Sequence, residues 1–326
     1  MLTLKPSAKE ELLTEIPNLP EYQGLSDRMG EKLLRQRLAR ERLLRERLRP
    51  LFVHTDGLAD RRLAVRLLER MVRWSGLEKR ARRNFQDLRV KTSTWRMNGL
   101  SPGAEGLKIL QVTDLHLDFD PGVIERVRST VEELPYDLVC ITGDFFDLVF
   151  SGEAVPKEHL EQLVHCFRSP VYAVLGNHDV LSVGFFLEEL GVRVLMNESV
   201  WIPNGDGGVW LAGVDDARQF GTDSFENAVR AISWDGPVVG LSHSPQNYKD
   251  AERNGINLML SGHTHGGQVS LPCGIPITGS HGCPLRMVSG RWKYKGLQGY
   301  TSNGCGGCKL PFRLNAPAEV TLHTLV

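Results

Sequence analysis

A stretch of about 18 apolar residues is missing from this chain of 326, so no membrane-spanning helix is expected. The opening residues, Met1-Leu2-Thr3-Leu4-Lys5-Pro6, lack the apolar run and small-residue cleavage site of a secretion signal. The expected compartment is the cytoplasm, with peripheral attachment to the inner face of the membrane left open by the basic helices described below. Cysteine is sparse: six residues, Cys140, Cys166, Cys273, Cys283, Cys305 and Cys308, are too few for a disulfide-built scaffold. Free thiols in a reducing compartment are the simplest account. Internal repeats and low-complexity tracts are absent as well, and 41% hydrophobic with 24% charged residues describes an ordinary globular chain.

Net charge is also absent, but the zero conceals an asymmetry. Residues 1–100 carry 23 Lys and Arg against 13 Asp and Glu, so the remainder holds 16 against 26. Such a division argues for two parts, a basic helical arm over residues 1–100 and a domain over residues 107–326, with 101–106 (Ser-Pro-Gly-Ala-Glu-Gly) as linker. Within the arm, residues 1–26 read as a loose leader. From Asp27 to Phe52 the pattern is helical: Leu33, Leu34, Leu38, Leu44, Leu48, Leu51 and Phe52 share one face, and Arg35, Arg37, Arg40, Arg42, Arg45, Arg47 and Arg49 take much of the rest. Pro50 is expected to bend or end that helix. A second helix is expected over 58–74 after a turn at Asp56-Gly57, and a short basic segment over 77–84. Two fates suit these amphipathic helices: packing on the domain with solvated arginines, or lying on an anionic membrane surface through residues 27–84. Nucleic acid is not expected as a partner, and oligomeric state is not readable.

After residue 106, apolar strands alternate with amphipathic helices. Strands are expected near 107–113, 137–142, 171–175, 192–196, 209–214, 237–242, 257–261 and 319–325, and helices near 122–133, 157–168, 183–190, 224–233 and 245–253. Strands separated by helices of that length make parallel crossovers and an α/β sheet covered on both faces.

Acid and histidine clusters punctuate this region: Asp114-Leu115-His116, Gly143-Asp144-Phe145-Phe146-Asp147, Gly176-Asn177-His178-Asp179, Ser242-His243-Ser244 and Gly262-His263-Thr264-His265. Four follow an expected strand directly, which brings them to one edge of a sheet, where α/β proteins bind ligands. Carboxylate, imidazole and carboxamide without thiolate suit two borderline or hard divalent ions better than a structural zinc cage. In an extended Gly-His263-Thr-His265 segment both imidazoles face one side, and the same holds for Asp114 and His116. Gly143, Gly176 and Gly262 stand where the chain must turn beside a ligand without a Cβ clash.

The five blocks, in this order, resemble the calcineurin-like metallophosphoesterases over roughly residues 107–325. The resemblance implies an α/β fold, a four-layer α/β/β/α sandwich carrying an N-terminal basic helical extension. It implies two divalent metal ions, with Mn2+ favoured and Zn2+, Fe2+ or Mg2+ as alternatives. Asp114, His116 and His265 resemble the ligands of one ion, Asp144 the bridging carboxylate, and Asn177, His243 and His263 the ligands of the other. His178 resembles the histidine that protonates the leaving oxygen or contacts phosphate, with Asp147 orienting it, while Asp179 holds the loop. The implied activity is hydrolysis of phosphodiester or pyrophosphate bonds by a hydroxide bridging the two ions, with no covalent intermediate. The implied substrate is a phosphodiester or a nucleotide-linked small molecule or lipid. Two alternatives stay open: a UDP-2,3-diacylglucosamine pyrophosphatase of lipid A biosynthesis, and a metal-bound scaffold that does not turn over. Protein phosphatase activity is not implied.

Other signals are weaker. Cys305-Gly-Gly-Cys308 is half of a zinc knuckle, but Cys273 and Cys283 are ten apart, so these thiols are expected to be incidental packing. Arg286, Arg291, Lys293, Lys295 and Asn303 follow the last ligand, either to bind a remote phosphate or as a solvated loop. Asp215-Asp216 is either a turn or an edge of the site.

Overall fold

The computed structural model describes residues 14–53, 67, 69–147, 154–233, 235–272, 275–277, 282–308 and 310–326, and of residues 47–53 the backbone alone. The expected leader up to residue 13, the turn at Asp56-Gly57, the first half of the second arm helix and Cys273 lie outside the described residues.

Two six-stranded sheets pack face to face. The first is built from β1 (Arg89–Trp95), β2 (Lys108–Val112), β3 (Leu138–Ile141), β4 (Val171–Ala173), β5 (Arg193–Val194) and β12 (Glu319–Leu325). Its spatial order is β1-β12-β2-β3-β4-β5. The second sheet holds β6 (Glu198–Asn204), β7 (Gly207–Gly213), β8 (Val238–Leu241), β9 (Leu258–Ser261), β10 (Gly290–Tyr294) and β11 (Leu297–Thr301), in the order β10-β11-β9-β8-β7-β6. Strands β2 to β5 pair in parallel, as do β7, β8, β9 and β11.

Side-chain alternation assigns the layers. Ile109, Leu138, Cys140, Val209, Leu211, Val239, Leu241, Leu258 and Leu260 point between the sheets, as a strand period of two requires. The opposite residues, Leu110, Val112, Val139 and Ile141, face helices α4 (Val123–Val131), α5 (Lys157–Val164) and α6 (Leu181–Glu189). On the far side Ala212, Val238 and Met259 meet α7 (Phe225–Ala228) and α8 (Tyr248–Arg253). Helices therefore cover both outer faces, the expected α/β/β/α sandwich.

The N-terminal helices differ from expectation. α1 (Pro20–Met29), α2 (Glu31–Val53) and α3 (Glu78–Gln86) are present, and residues 69–74 are helical. α2 runs through Pro50; in its last turn the missing N–H removes one bond of the ladder and does not end it. Leu25, Met29, Leu34 and Leu44 join the core cluster over the first sheet. Arg28 reaches Glu188 at 2.8 Å and Glu198 at 2.7 Å, and Arg37 is fully buried. The expected boundary at residue 100 also moves. β1 pairs in parallel with β12 from Arg89↔Glu319 to Trp95↔Leu325, so it belongs to the sheet. The expected linker forms a 3-10 turn at Pro102–Ala104, with Ala104 fully buried. Among the described residues, no helix is long and apolar enough to cross a membrane.

Candidate metal centre

Each cluster stands just beyond the carboxyl end of a strand: Asp114 and His116 after β2, Asp144 and Asp147 after β3, Asn177 and His178 after β4, His243 after β8, His263 and His265 after β9. Those ends open at one edge of the sandwich, and the seven expected ligands meet there. Asp114, His116 and His265 offer ligand atoms within 4.8 Å of one another, and so do Asp144, His243 and His263. Asp144 Oδ2 lies 3.1 Å from His243 Nε2 and 3.8 Å from His116 Nε2, so one carboxylate reaches a histidine of each cluster. Asn177 Oδ1 lies 3.1 Å from His243 Nε2.

The route to this convergence is not the extended backbone expected from the sequence. Asp114, His116, Asp144, His263 and His265 all have positive φ, between 46° and 70°. Left-handed residues fold the ends of β2, β3 and β9 back over the sheet edge, and side chains two apart converge through a turn, not through strand alternation. Non-glycine residues in that region cost roughly 1–3 kcal/mol each and persist where the surroundings over-determine them. The glycine expectation holds: a Cβ on Gly143, Gly176 or Gly262 would lie 2.5, 2.1 or 2.2 Å from a neighbouring atom.

The donors suit cations. Burial draws the His116 pKa down to about 4 and holds His263 and His265 well below the usual imidazole value, leaving neutral rings, the form that ligates metals. For His243 burial also opposes charge, but the Asp144, Asp114 and Asp216 carboxylates raise it to about 10. Burial works against ionised Asp144, yet His243, His178 and His116 hold it well below the carboxylate range. Burial raises Asp114 to about 6, with His243 opposing. The centre thus draws positive charge to the space between Asp144 and His243. Nδ1 of His116, Nδ1 of His263 and Nδ2 of Asn177 are buried without a hydrogen-bond partner. His243 Nδ1 lies 2.7 Å from the Thr142 carbonyl, so that nitrogen donates and Nε2 is the atom turned to Asp144 and Asn177, where a cation would take the place of its proton.

His265 fits less well. Arg313, fully buried, lies with Nη2 3.2 Å from His265 Nδ1. A guanidinium only donates, which leaves the ring proton on Nε2, 3.4 Å from Asp114 Oδ1. Ligation through Nε2 requires that proton to move.

The neighbours of the ligands divide by role. His178 Nδ1 contacts Asp147 Oδ1, while Nε2 lies 4.0 Å from Asp144 Oδ2. Asp179 accepts the backbone N–H of Gly176, Asp144, Phe145 and Phe146 at 2.8 to 3.2 Å, tying the β3 and β4 loops together. Asp216 accepts N–H bonds from Arg218 and Phe220, so it caps a turn, and its carboxylate also acts on His243 from the edge of the site. Arg291 and Lys295 lie on the β10–β11 hairpin and its turn, bound to the Thr94 carbonyl and Glu252. Asn303 contacts Glu319 and Ser289. No motif marks Arg313, Thr113, which bonds Asp114 at 2.9 Å, or Asp118, which accepts the Asp147 N–H at 3.0 Å. The only signal for Arg313 was a lone charge inside Leu310-Pro-Phe-Arg-Leu314, an apolar stretch that predicts burial.

The sequence pattern of the calcineurin-like phosphoesterases matches residues 107–267. An uncharacterized metallophosphoesterase of Bacillus subtilis, YkoQ, is 30% identical over 263 residues, 76% of this chain and 93% of that protein. A Danio rerio transmembrane protein with a metallophosphoesterase domain is 32% identical over 68% of this chain, the match taking up 54% of that protein. Among solved structures, the sulfate thiohydrolase SoxB of Thermus thermophilus aligns with a TM-score of 0.44 at 14% identity, over 69% of this chain and 57% of that one.

Proposed function

The chain belongs to the calcineurin-like phosphoesterases, metal-dependent phosphoesterase hydrolases, and on that premise we propose that it cleaves phosphodiester or pyrophosphate bonds with two divalent ions. We assign Asp114, His116 and His265 to one ion, Asn177, His243 and His263 to the other, and Asp144 to both. One observation carries this reading: the Asp144 carboxylate stands between the two groups, within 4 Å of a histidine from each. Manganese is the activating ion we favour, since carboxylate and imidazole donors without thiolate accept it.

Bound in pairs, such ions supply Lewis acidity to phosphoryl oxygens and ionise water at neutral pH. The protein's own groups do the rest. Asp147, in contact with Nδ1, favours protonated His178 and fixes its ring. Its Nε2, directed at the centre, then gives its proton to the leaving oxygen. Asp179 keeps both loops in register through its four backbone bonds.

The test pairs bis-p-nitrophenyl phosphate with p-nitrophenyl phosphate under added manganese, with metal counted per chain. Two ions per chain and preference for the diester are expected. Asp144→Asn should lower the rate by roughly a thousandfold, since two-metal stabilisation amounts to several kcal/mol, and should lower the metal count. Full activity of that variant at matched loading removes the bridging role, and two bound ions with neither ester hydrolysed points to a scaffold.

A further inference from the structure

Cys305 and Cys308, expected to be equivalent packing thiols, are separated by the structure. Cys305 is buried, and burial pushes its thiol up to about 12. Cys308 is half-buried, and its sulfur lies within 4.8 Å of ligand atoms of both Asp147 and His178. Nothing in the proposed hydrolysis uses that sulfur.

The loop that carries it is held in place. Cys305 N–H donates to the Thr113 carbonyl and Gly306 N–H to the Asp114 carbonyl, both at 2.9 Å. A Cβ on Gly306 would lie 2.0 Å from Leu115 O, so only glycine lets the loop press against the β2 end. The Cys308 N–H then meets Gln268 Oε1 at 3.4 Å.

We propose that Asp147, His178 and Cys308 form a third cation site, selective for zinc, whose occupation switches hydrolysis off. This rests on the role given to His178 above. Thiolate, imidazole and carboxylate together are a zinc set, softer than the thiol-free donors of the main centre. Bonds of about 2.0–2.3 Å place the ligand atoms of a tetrahedral zinc roughly 3–4 Å apart, so a small side-chain adjustment closes the site. Asp147 and Cys308 are partly exposed, which gives a path from solvent and room for water as fourth ligand. One thiolate and one carboxylate neutralise the ion, so it adds no net charge beside the main pair.

Nδ1 is the His178 atom that meets Asp147, and Nε2 faces Asp144. Zinc on Nδ1 takes the atom through which Asp147 orients the ring and draws Asp147 to itself as well, so Nε2 is no longer held facing the centre.

Cobalt titrated into the manganese-loaded full chain reports the site directly. A thiolate-to-cobalt charge-transfer band should appear in wild type and in Cys166→Ser, and be missing in Cys308→Ser. With each enzyme normalised to its own zinc-free rate, excess zinc should inhibit wild type, and Cys308→Ser should need at least about tenfold more zinc. A band that persists in Cys308→Ser, no band in wild type, or equal zinc sensitivity of the two overturns the proposal. The cobalt reading does not depend on turnover. A Cys308-dependent band on a chain that hydrolyses no diester therefore sustains the site and sinks the activity, and the converse result sinks the site alone.

Discussion

His323 shows how much one buried residue can set. It lies fully buried in β12, accepts the Trp95 indole N–H at Nδ1 over 2.9 Å, and presents Nε2 to Gln111 Oε1 at 3.0 Å. Gln111 in turn donates to the Ser261 carbonyl at 2.9 Å, so a single neutral tautomer links both sheets. Burial, with Arg291 nearby, pushes its pKa down to about 3. A histidine depressed in the folded state leaves the unfolded chain holding the extra proton between pH 6.5 and pH 3. Stability from this group is complete above the unfolded pKa and falls as pH drops through that window, by an amount on the order of 4 kcal/mol. Urea denaturation from pH 7 to pH 4 should show the loss. His323→Gln, which can still accept from Trp95 and donate to Gln111, should flatten the slope by about one proton; an unchanged slope means the imidazole titrates normally. Chemistry of this kind is partly legible beforehand. His116 and His243 stand out because each follows an expected strand in an ordered set of acids and histidines. His323 sits in Thr-Leu-His-Thr-Leu, where alternation shows that it faces inward but not which groups meet it. Left-handed φ at the ligands was illegible, since Asp and His visit that region too seldom, despite their enrichment there, for sequence to mark it.

At the scale of one element, α2 departs furthest from its pattern. Leu34 and Leu44 are buried as the apolar face requires, yet Arg37, on the face expected to be solvated, is buried as well. Its guanidinium stacks 3.2 Å from the Phe220 ring centroid and donates to the Asp179 carbonyl at 2.8 Å. One turn later Glu41 accepts the Leu181 N–H at 3.1 Å. The helix thereby grips both sides of the segment from Asp179 to Leu181, immediately after Asn177 and His178. Truncating a buried charge strands its partners and typically costs about 3–5 kcal/mol, so Arg37→Ala should lower stability by that order in denaturant unfolding and reduce kcat with it. Arg37→Lys should recover only part, because ammonium neither stacks flat nor forks. A loss under about 0.5 kcal/mol in Arg37→Ala is what a solvated arginine gives. Periodicity located this helix, because leucine spacing reports which face is apolar. It missed the buried arginine, because spacing does not report a cation stacked on a distant ring. The edge strands β1, β6 and β10 escaped for a related reason: β1 reads Arg-Val-Lys-Thr-Ser-Thr-Trp and exposes most of its residues, so an edge position leaves little alternation to see.

For the whole molecule, the question is where the sandwich begins. Charge placed residues 1–100 apart from the domain, but the parallel ladder from Arg89↔Glu319 to Trp95↔Leu325 makes β1 the outer strand of the first sheet. Trp95, 1% exposed, reaches from it into the core between the sheets. The ladder has a parity that can be tested without deleting anything. Arg89 N–H bonds Ala318 O at 3.0 Å and Met97 N–H bonds Val326 O at 2.8 Å, so by the strand period the N–H of Lys91 also faces β12. Residues 90, 92 and 94 face the other way, and the Thr94 carbonyl is taken by Arg291 at 2.8 Å. Lys91 and Thr92 are neighbours with exposed side chains, and they differ in which way the backbone points. Proline is tolerated on an edge strand only where the missing N–H faced outward. Lys91→Pro should therefore lower stability by about 1–3 kcal/mol, the usual penalty for stranding a buried acceptor, whereas Thr92→Pro should stay within about 1 kcal/mol of wild type. Equal tolerance of the two prolines returns the domain boundary to residues 101–106 and leaves β12 as the true edge. A difference of the expected sign makes residue 89, in the middle of the basic segment, part of the phosphoesterase sandwich.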